Sequence, residues 1–338
     1  MWTLHSVLSF AWAGLLAFGV LAYVLLDGFD LGMGILFLVE REEHDRDLMV
    51  NSVAPVWDGN ETWLVFGGAG LYAMFPLAYS VILPALYPLV IAMLLGLILR
   101  GVSFEFRFRA TGAGRAWWDI AFCGGSLVAA FAQGLVLGGL LQGIHVKNGV
   151  YAGGWWDWLT PFTVLCGIAV AIGYALLGAC WLIWRTEGAL QGRNRIHAGR
   201  LAIMTLALIV VVSLATPFLH PQYSARWFSW PGILLTSPVP VLVVLVGLLL
   251  RHGLAHQHQW TPLLSAQLWF VLCFAGLGIS LYPLMVPPAI TIYQAAAPTP
   301  SQVFLIVGAV VIIPIILAYN AYAYWVFRGK VRPGMHYH

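Results

Sequence analysis

Two motifs decide how this sequence folds: Asp27-Gly28-Phe29-Asp30-Leu31-Gly32, and, after a charged link, Asn51-Ser52-Val53-Ala54-Pro55-Val56-Trp57-Asp58-Gly59-Asn60-Glu61-Thr62-Trp63. A long apolar run leads into the first motif and another leads out of the second. Asp27, Asp30, Asp58 and Glu61 thus stand at or near the ends of two hydrophobic segments. A carboxylate in or beside hydrocarbon is costly, which makes each of the four a functional candidate. Two readings are open. The acids either cap and pin the first two helices, or they handle protons.

The composition names the solvent. Of 338 residues 61% are hydrophobic and only 9% are charged, against about a quarter charged in soluble proteins. Sixteen tryptophans fit lipid, because Trp gathers at membrane interfaces. A net charge of +3 gives no case for nucleic-acid binding. Cys123, Cys166, Cys180 and Cys273 lie in apolar segments without a CxxC pair, so neither a metal knuckle nor a disulfide framework is expected. The N-terminal run has no basic lead and ends in Asp-Gly-Phe-Asp, so no cleavable signal is expected.

Nine apolar spans are predicted, near residues 4–27, 60–80, 82–102, 119–142, 161–184, 200–220, 232–251, 262–285 and 302–327. Each is long enough to cross about 30 Å of hydrocarbon. The runs do not alternate as barrel strands do, so the class is an all-α integral membrane protein. With nine spans, fourteen of the sixteen Lys and Arg fall on one side, and only Lys147 and Arg226 on the other. That asymmetry places the fourteen in the cytoplasm, the N-terminus outside and the C-terminus inside. The carboxylates then share the cytoplasmic end. Asp27 and Asp30 close the first helix, Trp57, Asp58 and Glu61 open the second, and Arg100 and Glu105 end the third.

Each candidate has a plain reading beside the functional one. Arg100, Arg107 and Arg109 near Glu105 are either a basic anchor with a local ion pair, or Arg100 holds a carboxylate or water chain at a pocket mouth. The ten histidines all lie in loops or at helix ends, so no haem ligand is expected in this chain. His252 and His256, with His258 beyond, have metal-ligand spacing but no Cys or carboxylate to complete a site. Tyr282-Pro283 and Pro287-Pro288 read as a helix stop at the external face, or as a lipid or quinone contact. Gly28/Gly32, Gly134/Gly138 and Gly139/Gly143 have helix-packing spacing.

The two opening motifs resemble subunit II of the cytochrome bd-type ubiquinol oxidases, with the cyanide-insensitive branch as the nearest expectation. The likeness continues through Arg100-Gly101-Val102-Ser103-Phe104-Glu105-Phe106-Arg107, Leu140-Leu141-Gln142-Gly143 and Tyr282-Pro283-Leu284-Met285-Val286-Pro287. The resemblance implies two four-helix bundles plus one peripheral helix in a single transmembrane domain. Its approximate parts are residues 1–145, 155–290 and 300–338. It implies a heterodimer with a haem-bearing subunit I that holds two b-type haems and a haem d and turns over the quinone pool in a bacterial inner membrane. It leaves room for a structural quinone, bound lipids and a small single-helix accessory subunit. It assigns no ligated cofactor to this chain. By resemblance Asp58 opens a proton path from the cytoplasm, Glu105 stands where some members have Asp, and Tyr337 is the candidate for a C-terminal tyrosine.

Two alternatives start from the same residues. A proton-coupled secondary transporter would use intramembrane acids and proline-broken spans, but such sites lie near the midplane, and these acids cluster at one end. A purely structural partner would only shield the haem subunit from lipid.

Overall fold

The computed structural model describes residues 3–37 and 39–331. Its helices in chain order are α1 (Leu4–Leu36), α2 (Glu43–Val53), α3 (Trp57–Met74), α4 (Pro76–Arg109), α5 (Ala113–Gln142), α6 (Pro161–Arg185) and α7 (Gly188–Ala215). There follow α8 (Pro221–Phe228), α9 (Ile233–Thr236), α10 (Pro238–Ala255), α11 (Thr261–Leu281), α12 (Ile292–Ala295) and α13 (Thr299–Val326). Eight helical segments among the described residues are long and apolar enough to cross a membrane, with residues 233–255 taken as one segment. The one predicted span outside these eight is the second, α3, 18 residues long, whose first turns carry Trp57, Asp58, Asn60 and Glu61. Those polar turns keep it outside the apolar eight.

Several predicted boundaries move, and those of the first three spans move for physical reasons. The first span does not stop at residue 27: α1 runs on to Leu36 with Asp27 and Asp30 wholly buried inside it. Partners on other helices take up both carboxylates, so the acids do not end the helix. The second span ends at Met74 rather than near 80, because Phe75 leaves helical geometry (φ −130°, ψ 59°) and Pro76 starts a new helix. Proline suits a first turn, where its missing N–H has no partner to lose. The third span then covers Pro76–Arg109 instead of 82–102, with Pro84 and Pro88 inside it. In the seventh, Pro238 and Pro240 fall in the first turn of α10, where they do no harm.

The interior is organised on α1 and α6. Residues 173–185 of α6 are buried without a break. A Cβ on Gly32 would lie 1.6 Å from the Tyr174 carbonyl oxygen, and one on Gly178 2.3 Å from the Met33 nitrogen. Only glycine lets these two backbones meet, which is how small-residue spacing packs helices in lipid. Gly96 of α4 and Gly125 of α5 repeat the arrangement, each with the other's carbonyl oxygen within 2.6 Å of its would-be Cβ. Helix α13 packs on α1 and α3. There Gly59 accommodates Asn320, whose Oδ1 would stand 2.9 Å from a Cβ at that position.

A charged collar holds α2 across the basic-rich end. Arg107, 1% exposed, pairs with Asp47 of α2 at 2.6 Å and Asp119 of α5 at 2.5 Å. Arg46 reaches Asp119 at 2.8 Å, Arg115 joins Asp47 and Glu43, and Arg193 of α7 joins Glu40 and Asp45. The link between the two opening motifs is thus tied to three long helices. At the opposite end a hairpin pairs Val146–Lys147 (β1) with Val150–Tyr151 (β2). Asn148 and Gly149 both have positive φ in its two-residue turn, the geometry an Asn-Gly hairpin favours. A second ladder pairs Leu284–Val286 (β3) with Ile290–Thr291 (β4). Helix α11 stops at Leu281, just before Tyr282-Pro283, and the Pro287 carbonyl accepts the Ile144 N–H at 2.9 Å.

Candidate functional site

Six residues from the opening motifs and the end of α4 gather around one guanidinium or beside it. Arg100, with no exposed surface, donates from Nη1 to Asp27 Oδ1 at 2.6 Å and from Nη2 to Glu61 Oε2 at 3.0 Å. Asp27 is also fully buried, whereas the Glu61 side chain is 25% exposed. The three side chains form a ladder from a half-open edge into the interior. Asp30 faces a different neighbour: Asn60 donates from Nδ2 to its Oδ2 at 2.7 Å and to the Leu26 carbonyl at 3.3 Å. Tyr324 of α13 donates to Asn60 Oδ1 at 2.7 Å. Asp27 and Asp30, three residues apart, lie on neighbouring faces of α1, yet their carboxylates take different partners.

Burial makes these contacts obligatory. A buried charge without a partner is far more costly than an unpaired neutral group. Two carboxylates, Asp27 and Glu61, nevertheless share the single guanidinium of Arg100, and Asp30 relies on the Asn60 amide. Asp27 Oδ2, Asp30 Oδ1 and Arg100 Nε make no hydrogen bond among the described residues. A further polar strand continues inward. Gln133 of α5 donates to the Tyr23 hydroxyl at 2.8 Å and accepts from Tyr174 of α6 at 2.8 Å. Tyr23 stands one turn before Asp27 on α1.

The other candidates lie on the outside of this ladder. Trp57 stacks on Phe104, with ring centroids 4.9 Å apart, and the Arg100 guanidinium lies 5.7 Å from the Trp57 ring. Trp57 therefore forms a lid on the cluster. Asp58 is exposed in the first turn of α3 and its side chain makes no capping hydrogen bond; the N-cap is Val56. Any dipole interaction of Asp58 with its helix is through charge alone. Glu105 is also exposed, and among the described residues its one ion-pair partner is Arg109, one turn on, at 3.8 Å. Asp58 and Glu105 share neither a hydrogen bond nor an ion pair with the buried group among the described residues. Tyr337 lies outside the described residues.

Sequence reasoning missed Asn60 as the bridge, Tyr324 as its donor, and the Tyr23–Gln133–Tyr174 strand. Asn60 sits inside the quoted motif, and Tyr324 follows Asn320 by one turn in an otherwise apolar span. That spacing is the signal that was available. Among the described residues no group of three His, Cys, Asp or Glu gathers in an arrangement able to hold a metal ion.

With this geometry in place, comparison with known proteins adds a family. Residues 8–327 match the family described as cytochrome bd terminal oxidase subunit II. The chain belongs to that family. It is 29% identical to the cytochrome bd-I ubiquinol oxidase subunit 2 of Escherichia coli strain K12, over 97% of this chain and 96% of that one. It is 28% identical to the cytochrome bd ubiquinol oxidase subunit 2 of Bacillus subtilis strain 168, over 98% of both. Its fold matches the bd oxidase structure from Geobacillus thermodenitrificans with a TM-score of 0.80, at 17% identity, over 95% of this chain and 98% of that one. The subunit II family match takes in both opening motifs and the long helices, save the first turn of α1, so the cluster around Arg100 lies wholly within it.

Proposed function

We propose that this chain is the non-haem subunit of a bd-type quinol:oxygen oxidoreductase and supplies protons from the cytoplasm to a haem-bearing partner. The observation that carries the reading is a subunit II fold whose acids gather at one end, with Asp58 and Glu105 left exposed there. Reduction of oxygen to water consumes protons, and exposed carboxylates that can take up and release a proton are suited to supplying them. The b-type haems and haem d belong to subunit I in this reading, and the two chains form a heterodimer in a bacterial inner membrane. The basic-rich end faces the cytoplasm, following the charge asymmetry, and α3 crosses as a ninth span. Helices α1, α3, α4 and α5 form one four-helix bundle, α6, α7, α10 and α11 the other, and α13 stands beside them.

Two routes divide the acids. Asp58 and Glu105 lie on the exposed faces of α3 and α4, beside Val65, Ile98 and Val102. An apolar face with isolated acids suits contact with a partner subunit, so the proton path runs along the interface and starts at Asp58. Trp57 shields that path from the Arg100 cluster, which serves mainly to hold α1, α3 and α4 together. The tyrosine on the path is Tyr337, proposed from the resemblance, while Tyr324 holds Asn60 in the buried group.

The test begins with purification of the complex through a tag on this chain. A second large membrane subunit and reduced-minus-oxidised bands of b- and d-type haem are the expected outcome. A colourless chain that comes alone, and moves a solute in liposomes, returns the transporter reading. With the complex in hand, Asp58→Asn separates roles: slower quinol oxidation with unchanged haem content supports proton supply. Unchanged turnover ends that assignment.

A further inference from the structure

A cleft of about 400 Å³ opens between α1, α6, α11 and α13, lined among others by Trp184, Trp260, Leu264, Tyr324, Trp325 and Arg328. We propose that it holds one acyl chain of an anionic glycerophospholipid from the adjoining leaflet, with the lipid phosphate seated against Arg328. The volume falls in the range of ordinary ligand sites, about 300–1,000 Å³. The walls are indoles and aliphatic side chains. Trp184 and Trp260 face each other with ring centroids 4.1 Å apart, and the Arg328 guanidinium lies 5.2 Å from the Trp325 ring. Flat, rigid rings beside a cation make a slot for a chain with a charged end.

Charge selects the occupant. Arg328 has no carboxylate within ion-pair distance among the described residues. Three more cations stand behind it with backbone carbonyls as partners. Arg185, 5% exposed, lies 5.4 Å from the Trp184 ring and donates to the Gly329 carbonyl. Lys330 donates to the Ile183 and Thr186 carbonyls at 3.3 and 3.0 Å. Arg195 donates to those of Gln257 and His258 at 2.9 and 3.2 Å. Burial holds Lys330 below the usual lysine range; Glu187 opposes this, and the charges of Arg195 and Arg185 add to it. Among the described residues Arg328 is the charged residue of the lining, and Arg185, Lys330 and Arg195 against Glu187 leave its surroundings positive. Basic pockets between membrane helices bind anionic headgroups by this chemistry. The cleft lies at the helix ends where the basic residues concentrate, the depth at which a headgroup sits.

The competing occupants fit less well. A quinone head is uncharged and leaves the rim without a counter-ion. A helix about 10 Å across fills about 400 Å³ per turn, so a partner helix offers the cleft one turn at most.

The experiment uses the whole complex, stripped of loose lipid by detergent exchange and then given phosphatidylglycerol or phosphatidylcholine. Native mass spectrometry counts the phospholipids retained. The expected result is one phosphatidylglycerol held more firmly than phosphatidylcholine. Arg328→Gln weakens that preference about fivefold, the worth of one basic residue at an anionic surface. Leu264→Trp, on an exposed position of the wall, narrows the slot and lowers retention of both lipids. Equal retention of the two lipids by the wild-type complex overturns the proposal. So does retention unchanged in both variants, or a quinone mass in place of the phospholipid. The readout is independent of turnover, so its failure leaves the oxidase reading untouched.

Discussion

Two groups of acids sit within one helical turn of each other and live under opposite rules. Asp27, Glu61 and Arg100 are buried or half-buried and joined at 2.6 and 3.0 Å. Asp58 and Glu105 are exposed, and among the described residues only Glu105 has an ion-pair partner, at 3.8 Å. In the first group the ion pairs are a condition of folding, since removing one member strands the others in a low-dielectric interior. In the second group little is spent on holding the acids, and little is lost when they change. Chemistry that needs a proton to come and go is better served by the second. Stability is better served by the first.

The sharpest way to break this contrast is Arg100→Leu. It leaves Asp27 buried and Glu61 half-buried without their guanidinium, and breaking such a buried pair costs about 3–5 kcal/mol. We expect the complex to fail to accumulate, or to lose its haem bands on mild heating, as read by membrane spectra and thermal denaturation. A fully assembled, active Arg100→Leu complex would erase the distinction between the two groups. Asp58→Asn comes next. It is expected to assemble normally and slow quinol oxidation roughly tenfold, about 1.4 kcal/mol on the barrier. Oxygen uptake per haem measures it. Glu105→Gln should slow turnover less, since Glu105 keeps its Arg109 contact. If Glu105→Gln proves the more severe change, the path begins on α4 rather than α3.

Tyr324→Phe sharpens the boundary between the groups. It removes the hydroxyl that donates to Asn60 and so loosens the hold on Asp30. One neutral hydrogen bond is worth about 1 kcal/mol, a fall of a few degrees in thermal midpoint. A large loss of turnover with stability intact would instead put Tyr324 on the proton route and move the route into the bundle.

How much of this was legible beforehand follows from the physics of each residue. The apolar runs gave the helical class and most span positions, because hydropathy is a sum over many residues. The match to the subunit II family agrees with the motif resemblance. The ends of α1 and α4 were misplaced because a charge looks like a terminus when its partner is unseen. Asp27 and Arg100 are 73 positions apart and meet only in the folded bundle. Asn60 and Tyr324 were overlooked for the same reason, being 264 positions apart. Arg107 read as part of a basic anchor near Glu105, yet it is almost wholly buried and pairs with Asp47 and Asp119 instead.

The collar around Arg107 supplies the smallest and most specific prediction, and it extends the contrast to a site outside the membrane. Burial raises the pKa of Asp47, but hydrogen bonds from Arg107 and Arg115 outweigh it and hold the carboxyl below the usual range. A depressed carboxylate adds stability that is complete above its unfolded pKa, about 3.9, and lost as pH falls through its folded value. The thermal midpoint of Asp47→Asn should therefore lie below that of the wild type at neutral pH, with the gap closing below about pH 4. The gap should be small, since Asp47 is 35% exposed and solvent screens the pairs. It should also shrink with added salt, within a Debye length of about 8 Å at physiological ionic strength. A buried pair such as Arg100–Asp27 is screened much less, so an Arg100→Leu defect should persist in high salt. A gap at Asp47 that ignored both pH and salt would mean that shape, not charge, seats α2 on the collar.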